Sequence, residues 1–282
     1  MAPPAAKILS GKAIAARERE ACRLVLAAMK TGKVVLATVQ VGDGPEIKLY
    51  AEYLKDNLKA IGIKLVGRVF PSQVSEALLA GTIKKLNKDK QVTGIMIFSP
   101  LPKHIDPARV FDRIDALKDV EGRTFLKSHY GVFSPTAHAV LLLIEESGLD
   151  LTGKEAVVVG HSDLVGKPTA VLLADRMATV TLCHHETKDL KSHIGRADVL
   201  VVAVGKPHLI KGSWIKPGAV VIDVGENVLG GKTVGDVEFE AALTRASHIT
   251  PVPGGVGPVT NIMLIKNLLN LYRLQQARHG NR

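Results

Sequence analysis

Two groups of residues in this sequence have the types and spacing to do chemistry. One is Tyr50, Leu54, Lys55 and Glu121; the other is the turn Gly160-His161-Ser162-Asp163-Leu164-Val165-Gly166. Tyr50 and Leu54 lie four apart and share a face of any helix, while Lys55, about 100° further round, belongs to a solvated face. A tyrosine beside a strand end stacks on or hydrogen-bonds a flat ligand, or it is a core residue with its hydroxyl at the rim. Glu121, in Lys118-Asp119-Val120-Glu121-Gly122, is a carboxylate in an irregular loop. It suits two N–H donors of a heterocycle, or it is an exposed loop acid.

The glycine turn follows the buried run Ala156-Val157-Val158-Val159 and opens a helix, the arrangement that sets a pyrophosphate at a helix N-terminus. It is not the standard G-x-G-x-x-G: Ser162 stands where the second glycine would be, and Gly166 is displaced. Its context favours a dinucleotide site over a plain turn. Ribose recognition then falls near Cys183-His184-His185, where there is no carboxylate to bind a diol. The two histidines meet a 2′-phosphate only in part, and one of them reads as solvent-facing. A third stretch, Pro251-Val252-Pro253-Gly254-Gly255-Val256-Gly257-Pro258-Val259-Thr260, is bare and stiff, and is either a ligand loop or a linker.

These residues must be positioned by an alternating pattern. Helical spacing runs over 9–31 with Gly32 as a stop, then a strand over 33–41, a Gly42-Asp43-Gly44-Pro45 turn, a helix over 47–61, a strand over 64–70, a helix over 73–88 and a strand over 92–97. Phe98-Ser99-Pro100-Leu101-Pro102 ends that strand, because prolines cannot sit in a central ladder. Residues 115–134 read as an irregular connection and 135–147 as a helix closing the first domain. Strands over 156–160, 178–182, 198–204 and 219–224, a helix after Gly166 to about Met177, and a terminal helix from 258 to about 278 complete a second α/β half. Strands alternating with crossover helices predict parallel sheets and an α/β fold.

Composition narrows the classes. A chain of 282 residues with 46% hydrophobic residues suits two globular domains. The formal charge of +10 invites a nucleic-acid reading, but the basic residues are dispersed and there are only six Phe, four Tyr and one Trp. No nucleic-acid partner is expected; phosphate-bearing or polyglutamylated small ligands fit the charge. Cys22 and Cys183 lie far apart without metal-type spacing, so neither a disulfide framework nor a metal is expected. No apolar run approaches the ~18 residues of a membrane span, and the expectation is a cytoplasmic protein.

Taken together, VGDGP, GIMIFSPLPKHID, KDVEG, VVVGHSDLVGKP, ATVTLCH, IDVGEN, GDVEF and TPVPGGVGPVT, in this order, resemble the methylenetetrahydrofolate dehydrogenase/cyclohydrolase (FolD) family. The resemblance spans nearly the whole chain. It implies an N-terminal α/β folate-binding domain (1–147, with the terminal helix 258–282 packing back on it), a C-terminal Rossmann-type doubly wound sheet (148–257), a cleft between them and a homodimer. It assigns Tyr50, Pro100, Leu101, Glu121, Gly254, Gly255, Val256, Gly257 and Pro258 to folate. Gly160, His161, Ser162, Val165, Gly166, His185, Ala203, Gly205 and Glu226 go to NADP or NAD, with a lean to NADP from the family.

The departures from the family are specific. Its Tyr-x-x-x-Lys pair is Tyr50 with Leu54, its strand-end glutamine is Phe98, and its substrate aspartate is Glu121. A cofactor-side arginine is His161, a serine is His185 and an isoleucine is Glu226. Hydride transfer needs orientation more than a base, whereas methenyl hydrolysis needs water activated and protons moved. The expectation is therefore a 5,10-methylenetetrahydrofolate dehydrogenase with cyclohydrolase weak or lost and Tyr50 retained as the catalytic residue. The alternatives are a bifunctional enzyme, a dehydrogenase for another pterin carrier, and a non-catalytic folate- or nucleotide-binding protein.

Overall fold

The computed structural model describes residues 5–29, 33–124 and 132–280. Gly32 and the 125–131 part of the irregular connection lie outside the described residues. In chain order the elements are β1 (Lys7–Ile8), α1 (Gly11–Ala28), β2 (Val35–Val41), α2 (Pro45–Ile61), β3 (Lys64–Phe70), α3 (Glu76–Lys88), β4 (Gly94–Ile97), α4 (Pro107–Phe111) and α5 (Pro135–Glu146). Then follow β5 (Glu155–Val159), α6 (Gly166–Asp175), β6 (Thr179–Cys183), α7 (Leu190–Arg196), β7 (Val199–Val202), β8 (Val220–Asp223), β9 (Asn227–Leu229), β10 (Lys232–Val234), α8 (Phe239–Leu243), β11 (His248–Ile249) and α9 (Val256–Gly280).

The chain divides into two compact units, Glu18–Ser134 with Leu264–Arg282, and Met1–Arg17 with Pro135–Met263. The first is built on a three-stranded parallel sheet of order β3-β2-β4. β2, Val-Leu-Ala-Thr-Val-Gln-Val, is buried along its whole length, as a central parallel strand covered on both faces must be. Ala37, Val39, Leu79, Ile83, Ile95 and Ile97 belong to the core between this sheet and α3. α2 starts on Pro45, whose fixed φ suits a first turn, and ends on Gly62 at φ 89. From Leu264 on, α9 belongs to this unit: Asn267 Nδ2 donates to Val120 O (2.9 Å) and Phe133 O (2.7 Å), clamping the loop that carries Glu121.

The second unit carries a six-stranded all-parallel sheet of order β1-β11-β8-β7-β5-β6. β5 has β6 on one side and β7 on the other, so the strand order reverses at β5. That topological switch point is where open α/β sheets take ligands, at the carboxyl ends of the strands. The α/β class and the Rossmann-type second sheet are as expected. One boundary differs: α5 packs on α6 and β8 and belongs with the second sheet, not with the first domain as its position before residue 147 suggested. Its face of Ala137, Val140, Leu141 and Ile144 is apolar enough to serve either sheet, so the pattern alone did not choose.

Candidate active site

In the first unit, Tyr50 on α2 meets Phe98 at the carboxyl end of β4, ring centroids 5.9 Å apart and planes at 87°. Phe98 is 4% exposed, and its N–H donates to Val39 O at 2.9 Å, which fixes the strand end against β2. Leu54, one turn along from Tyr50, is fully buried, and Lys55 is exposed as its helical phase dictates. This corner is apolar. Burial drives the Tyr50 hydroxyl well above its ordinary pKa, and the nearby Glu121 and Tyr53 push it the same way, so the phenol stays neutral.

Glu121 is 7% exposed and does not sit free in its loop. Arg123 Nε donates to Glu121 Oε2 at 3.1 Å, and the Arg123 guanidinium carbon lies 3.6 Å from the centroid of the Phe111 ring. Burial raises the Glu121 pKa, and the Arg123 charge works against that rise. The loop is fixed by Gly122, at φ 62, where a Cβ would lie 2.4 Å from the Phe133 carbonyl carbon. Asp119 Oδ2 tightens it further by accepting from Thr124 N (2.9 Å) and Thr124 Oγ1 (3.0 Å). Lys118 does another job: its Nζ donates to Leu86 O and Asp89 O, closing the C-terminus of α3. Arg123 was not singled out from sequence, although a cation two residues from a loop carboxylate was a readable signal. Pro100 is exposed and Leu101 packs on the unit's core, so among the folate candidates the described contacts gather Tyr50, Phe98 and Glu121 with Arg123.

In the second unit the glycine turn sits at the switch point. A Cβ on Gly166 would lie 1.8 Å from Gly160 O, and one on Gly160, at φ 115, would lie 2.2 Å from Ala203 O. Both positions therefore require glycine, and the backbone around them is bare enough for close approach of a pyrophosphate. Ser162 acts within the turn: its Oγ accepts from Val165 N (3.2 Å) and Gly166 N (3.4 Å). His161, His184 and His185 come together, with ring centroids 5.2, 5.9 and 6.1 Å apart.

The loop after β7 carries Ala203 and Gly205, and Asp236 holds it. Asp236 Oδ2 accepts from Val204 N (2.8 Å) and Gly205 N (3.0 Å); its Oδ1 accepts from Lys206 N (2.7 Å) and Asn227 Nδ2 (2.9 Å). Asp223 does the same one loop over, accepting from Gly225 N, Asp236 N and Val237 N. Neither aspartate was picked out from sequence, because acceptors for backbone N–H groups follow no spacing rule. Glu226 is exposed, directly before β9. The bare loop at 254–257 is corrected in part. α9 begins at Val256, so Val256, Gly257 and Pro258 form its first turn, and Gly11 packs backbone to backbone against Gly255, where its Cβ would lie 1.8 Å from Gly255 O.

Among the described residues no three His, Cys, Asp or Glu side chains are grouped to hold a metal ion, and no helix is long and apolar enough to cross a membrane. Residues 9–121 match the family model described as tetrahydrofolate dehydrogenase/cyclohydrolase, catalytic domain, and residues 134–276 match the NAD(P)-binding domain of the same family. The chain belongs to the tetrahydrofolate dehydrogenase/cyclohydrolase family. It is 47% identical over 275 residues to the bifunctional protein FolD of Geotalea uraniireducens, covering 94% of this chain and 98% of that protein. The bifunctional FolD enzyme of Campylobacter jejuni superposes with a TM-score of 0.92 at 36% identity, over 96% of this chain and 100% of that one. The Trypanosoma brucei FolD, solved with NADP and an inhibitor, gives 0.90 at 33% identity, over 97% and 99%. The family's two matched segments fall one on each sheet.

Proposed function

We propose that this protein is an NAD(P)-dependent 5,10-methylenetetrahydrofolate dehydrogenase whose cyclohydrolase step is weak or lost. The unit of the three-stranded sheet takes the folate and the unit of the six-stranded sheet takes the dinucleotide. The same reading makes it a cytoplasmic homodimer without a metal. Family membership supports the dehydrogenase. The loss of hydrolysis is supported by one observation, a fully buried Leu54 and a Phe98 closed against Tyr50, at the positions where the resemblance implies a lysine and a glutamine.

The nicotinamide, when bound, supplies the hydride acceptor for the methylene carbon. The protein's part is orientation, in which Tyr50 and the Pro100-Leu101 turn pack on the folate and the Glu121 carboxylate takes the N–H edge of the pterin. The reading also gives folate Gly254, Gly255, Val256, Gly257 and Pro258, which belong to the unit of the six-stranded sheet. Gly160, Ser162, Val165, Gly166, Ala203 and Gly205 supply bare backbone for the dinucleotide, with His161, His185 and Glu226 around it. No step of the hydride transfer needs a protein base. Hydrolysis of the methenyl cation does need an acid or base near the carbon, and leucine and phenylalanine supply neither while excluding water. Arg123, paired to Glu121, favours a second reading, a dehydrogenase for a different pterin carrier, because it adds a fixed cation beside the carboxylate that reads the heterocycle.

The test is a two-wavelength assay with NADP and with NAD on the purified protein, following reduced nicotinamide and the methenyl absorbance together. Accumulation of methenyltetrahydrofolate with stoichiometric cofactor reduction is expected. Reduction without methenyl build-up would restore the bifunctional reading, and no reduction with either cofactor would leave a binding protein.

A further inference from the structure

Neither the sequence motifs nor the hydride transfer gives Arg123 a task, yet the fold fixes its guanidinium from two sides. Phe111, which ends α4 and belongs to the buried core, lies under it with 3.6 Å between guanidinium carbon and ring centroid. On its edge, Arg123 Nε donates to Glu121 Oε2 at 3.1 Å and Nη2 to Oε1 at a longer 3.5 Å, a fork across both carboxylate oxygens. The backbone between the two residues is held as well. Gly122 takes a left-handed turn at φ 62, and Asn267 of α9 donates to Val120 O on one side of it and to Phe133 O on the other.

We propose that Arg123 is a positioning residue that seats the Glu121 carboxylate and holds it ionised for the N–H edge of the pterin. The inference rests on the folate reading of Glu121 given above and adds what makes that buried carboxylate usable. An ionised carboxylate offers about four lone-pair sites, and a fork that takes two leaves two for ligand N–H donors. A protonated carboxyl instead turns a donor toward a donor. Burial works toward that protonated form and so does the neighbouring Asp119, while the Arg123 charge and its hydrogen bonds work against it. Among the described residues, the titratable groups that act on Glu121 are Arg123 and Asp119 of its own loop and Tyr50 of α2; α4 presents Phe111 and α9 presents Asn267. Lys118 gives no help, since its Nζ turns away to Leu86 O and Asp89 O. Asp119 Oδ2 is held by Thr124, but its Oδ1 is buried with no hydrogen-bond partner among the described residues. The loop therefore sets two buried carboxyls against one guanidinium. Without that cation Glu121 takes up a proton at a higher pH and folate loses its acceptor. An arginine suits the place better than a lysine, because its planar fork covers both oxygens while its face lies on the Phe111 ring.

The experiment is calorimetric titration of the full chain with 5-formyltetrahydrofolate, a stable reduced folate, from about pH 5.5 to about pH 9, in wild type, R123M, R123K and E121Q. Any titration of the ligand itself is common to all four proteins. In R123M the pH at which binding weakens on the acid side should move up by about one unit or more, which is a loss of about tenfold or more in affinity at the lower pH that shrinks as the pH rises. R123K returns the charge without the fork, so it should bring that pH back toward wild type and keep a loss that does not vary with pH. E121Q cannot change charge, and it should bind weakly throughout without the acid fall. A purely structural role for Arg123 predicts one constant factor at every pH. An acid fall at the same pH in R123M and wild type, however large the loss, therefore overturns the role of Arg123 and leaves the folate reading standing. Wild-type affinity across the range in E121Q, or no binding by wild type, overturns the folate reading of Glu121 and the proposal with it. If R123M does not fold, R123Q is read in the same way.

Discussion

The rings of Tyr50 and Phe98 meet edge to face, 5.9 Å apart, and so close the corner of the first unit where the family resemblance leads one to expect a lysine and a glutamine. Leu54 lies fully buried one turn from Tyr50, which means a lysine placed there has to be desolvated or has to push that corner open. The double variant L54K/F98Q restores both polar groups. Stopped-flow decay of methenyl absorbance should accelerate by about 10²-fold or more, the usual contribution of a general acid or base. L54K alone should lower thermal stability without that gain. Equal decay rates in wild type and the double variant would show that this corner does not govern hydrolysis.

Glu121 and Arg123 form a half-buried pair, with side-chain exposures of 10% and 20%. On the proposed role of Glu121, removing the carboxylate in E121A strips the pterin of its acceptor and leaves the guanidinium unmatched. Loss of a charge-assisted hydrogen bond, about 1.5–3 kcal/mol, predicts a folate KM raised about 10- to 100-fold. The nicotinamide cofactor KM should stay within about twofold of wild type, since a lost contact to one ligand leaves the other ligand's contacts in place. Steady-state kinetics with each substrate varied in turn separate these, and a rise in both constants would point to collapse of the loop instead.

Asp236 is fully buried and accepts four hydrogen bonds, three of them from the backbone of residues 204–206. In D236N one oxygen becomes an N–H₂ facing N–H donors, at a cost of about 3 kcal/mol or more. G225A drives a Cβ to 2.1 Å from the Asp236 carboxyl carbon and strains the same network from the other side. Both variants should melt earlier by calorimetry and show a raised cofactor KM with a folate KM close to wild type. Unchanged cofactor kinetics in a folded D236N protein would remove the loop after β7 from the cofactor site.

Burial pushes the Asp223 carboxyl up to about 7, with three backbone donors opposing the rise and the Asp236 carboxylate adding to it. A carboxyl raised above its unfolded value of 3.8 contributes stability that is complete below that value and is lost as pH rises through about 7. Urea unfolding between about pH 5 and pH 8 should therefore show wild type losing stability relative to D223N as pH increases. Parallel curves for the two proteins would mean that Asp223 is ionised across the whole range.

Much of the scaffold was readable because period and punctuation agree. β2 and β4 are largely apolar runs, broken in β2 by Thr38 and Gln40, Pro45 and Gly62 mark the ends of α2, and the glycine turn after β5 leads into α6. The misses are short or carried by the partner. β1 is two residues long and exists because it pairs with β11, and α4 has five residues behind an Asp106 N-cap. The hairpin β9–β10 turns on Gly230-Gly231, a two-glycine turn with both residues at positive φ.

By itself the sequence determined the α/β class, the strand-to-helix turn at Gly160 and the apolar residue types at Leu54 and Phe98, because these depend on local periodicity and on residue type. The tertiary structure decided that Glu121 is tied to Arg123, that α5 belongs with the second sheet, that Asp223 and Asp236 hold the loops beside the glycine turn, and that three histidines from two strand tips meet. Those relationships join residues distant in the chain or set how side chains in one loop turn toward each other. They arise from strand order and from the need of buried carboxylates and backbone N–H groups to find partners, neither of which leaves a spacing in the sequence.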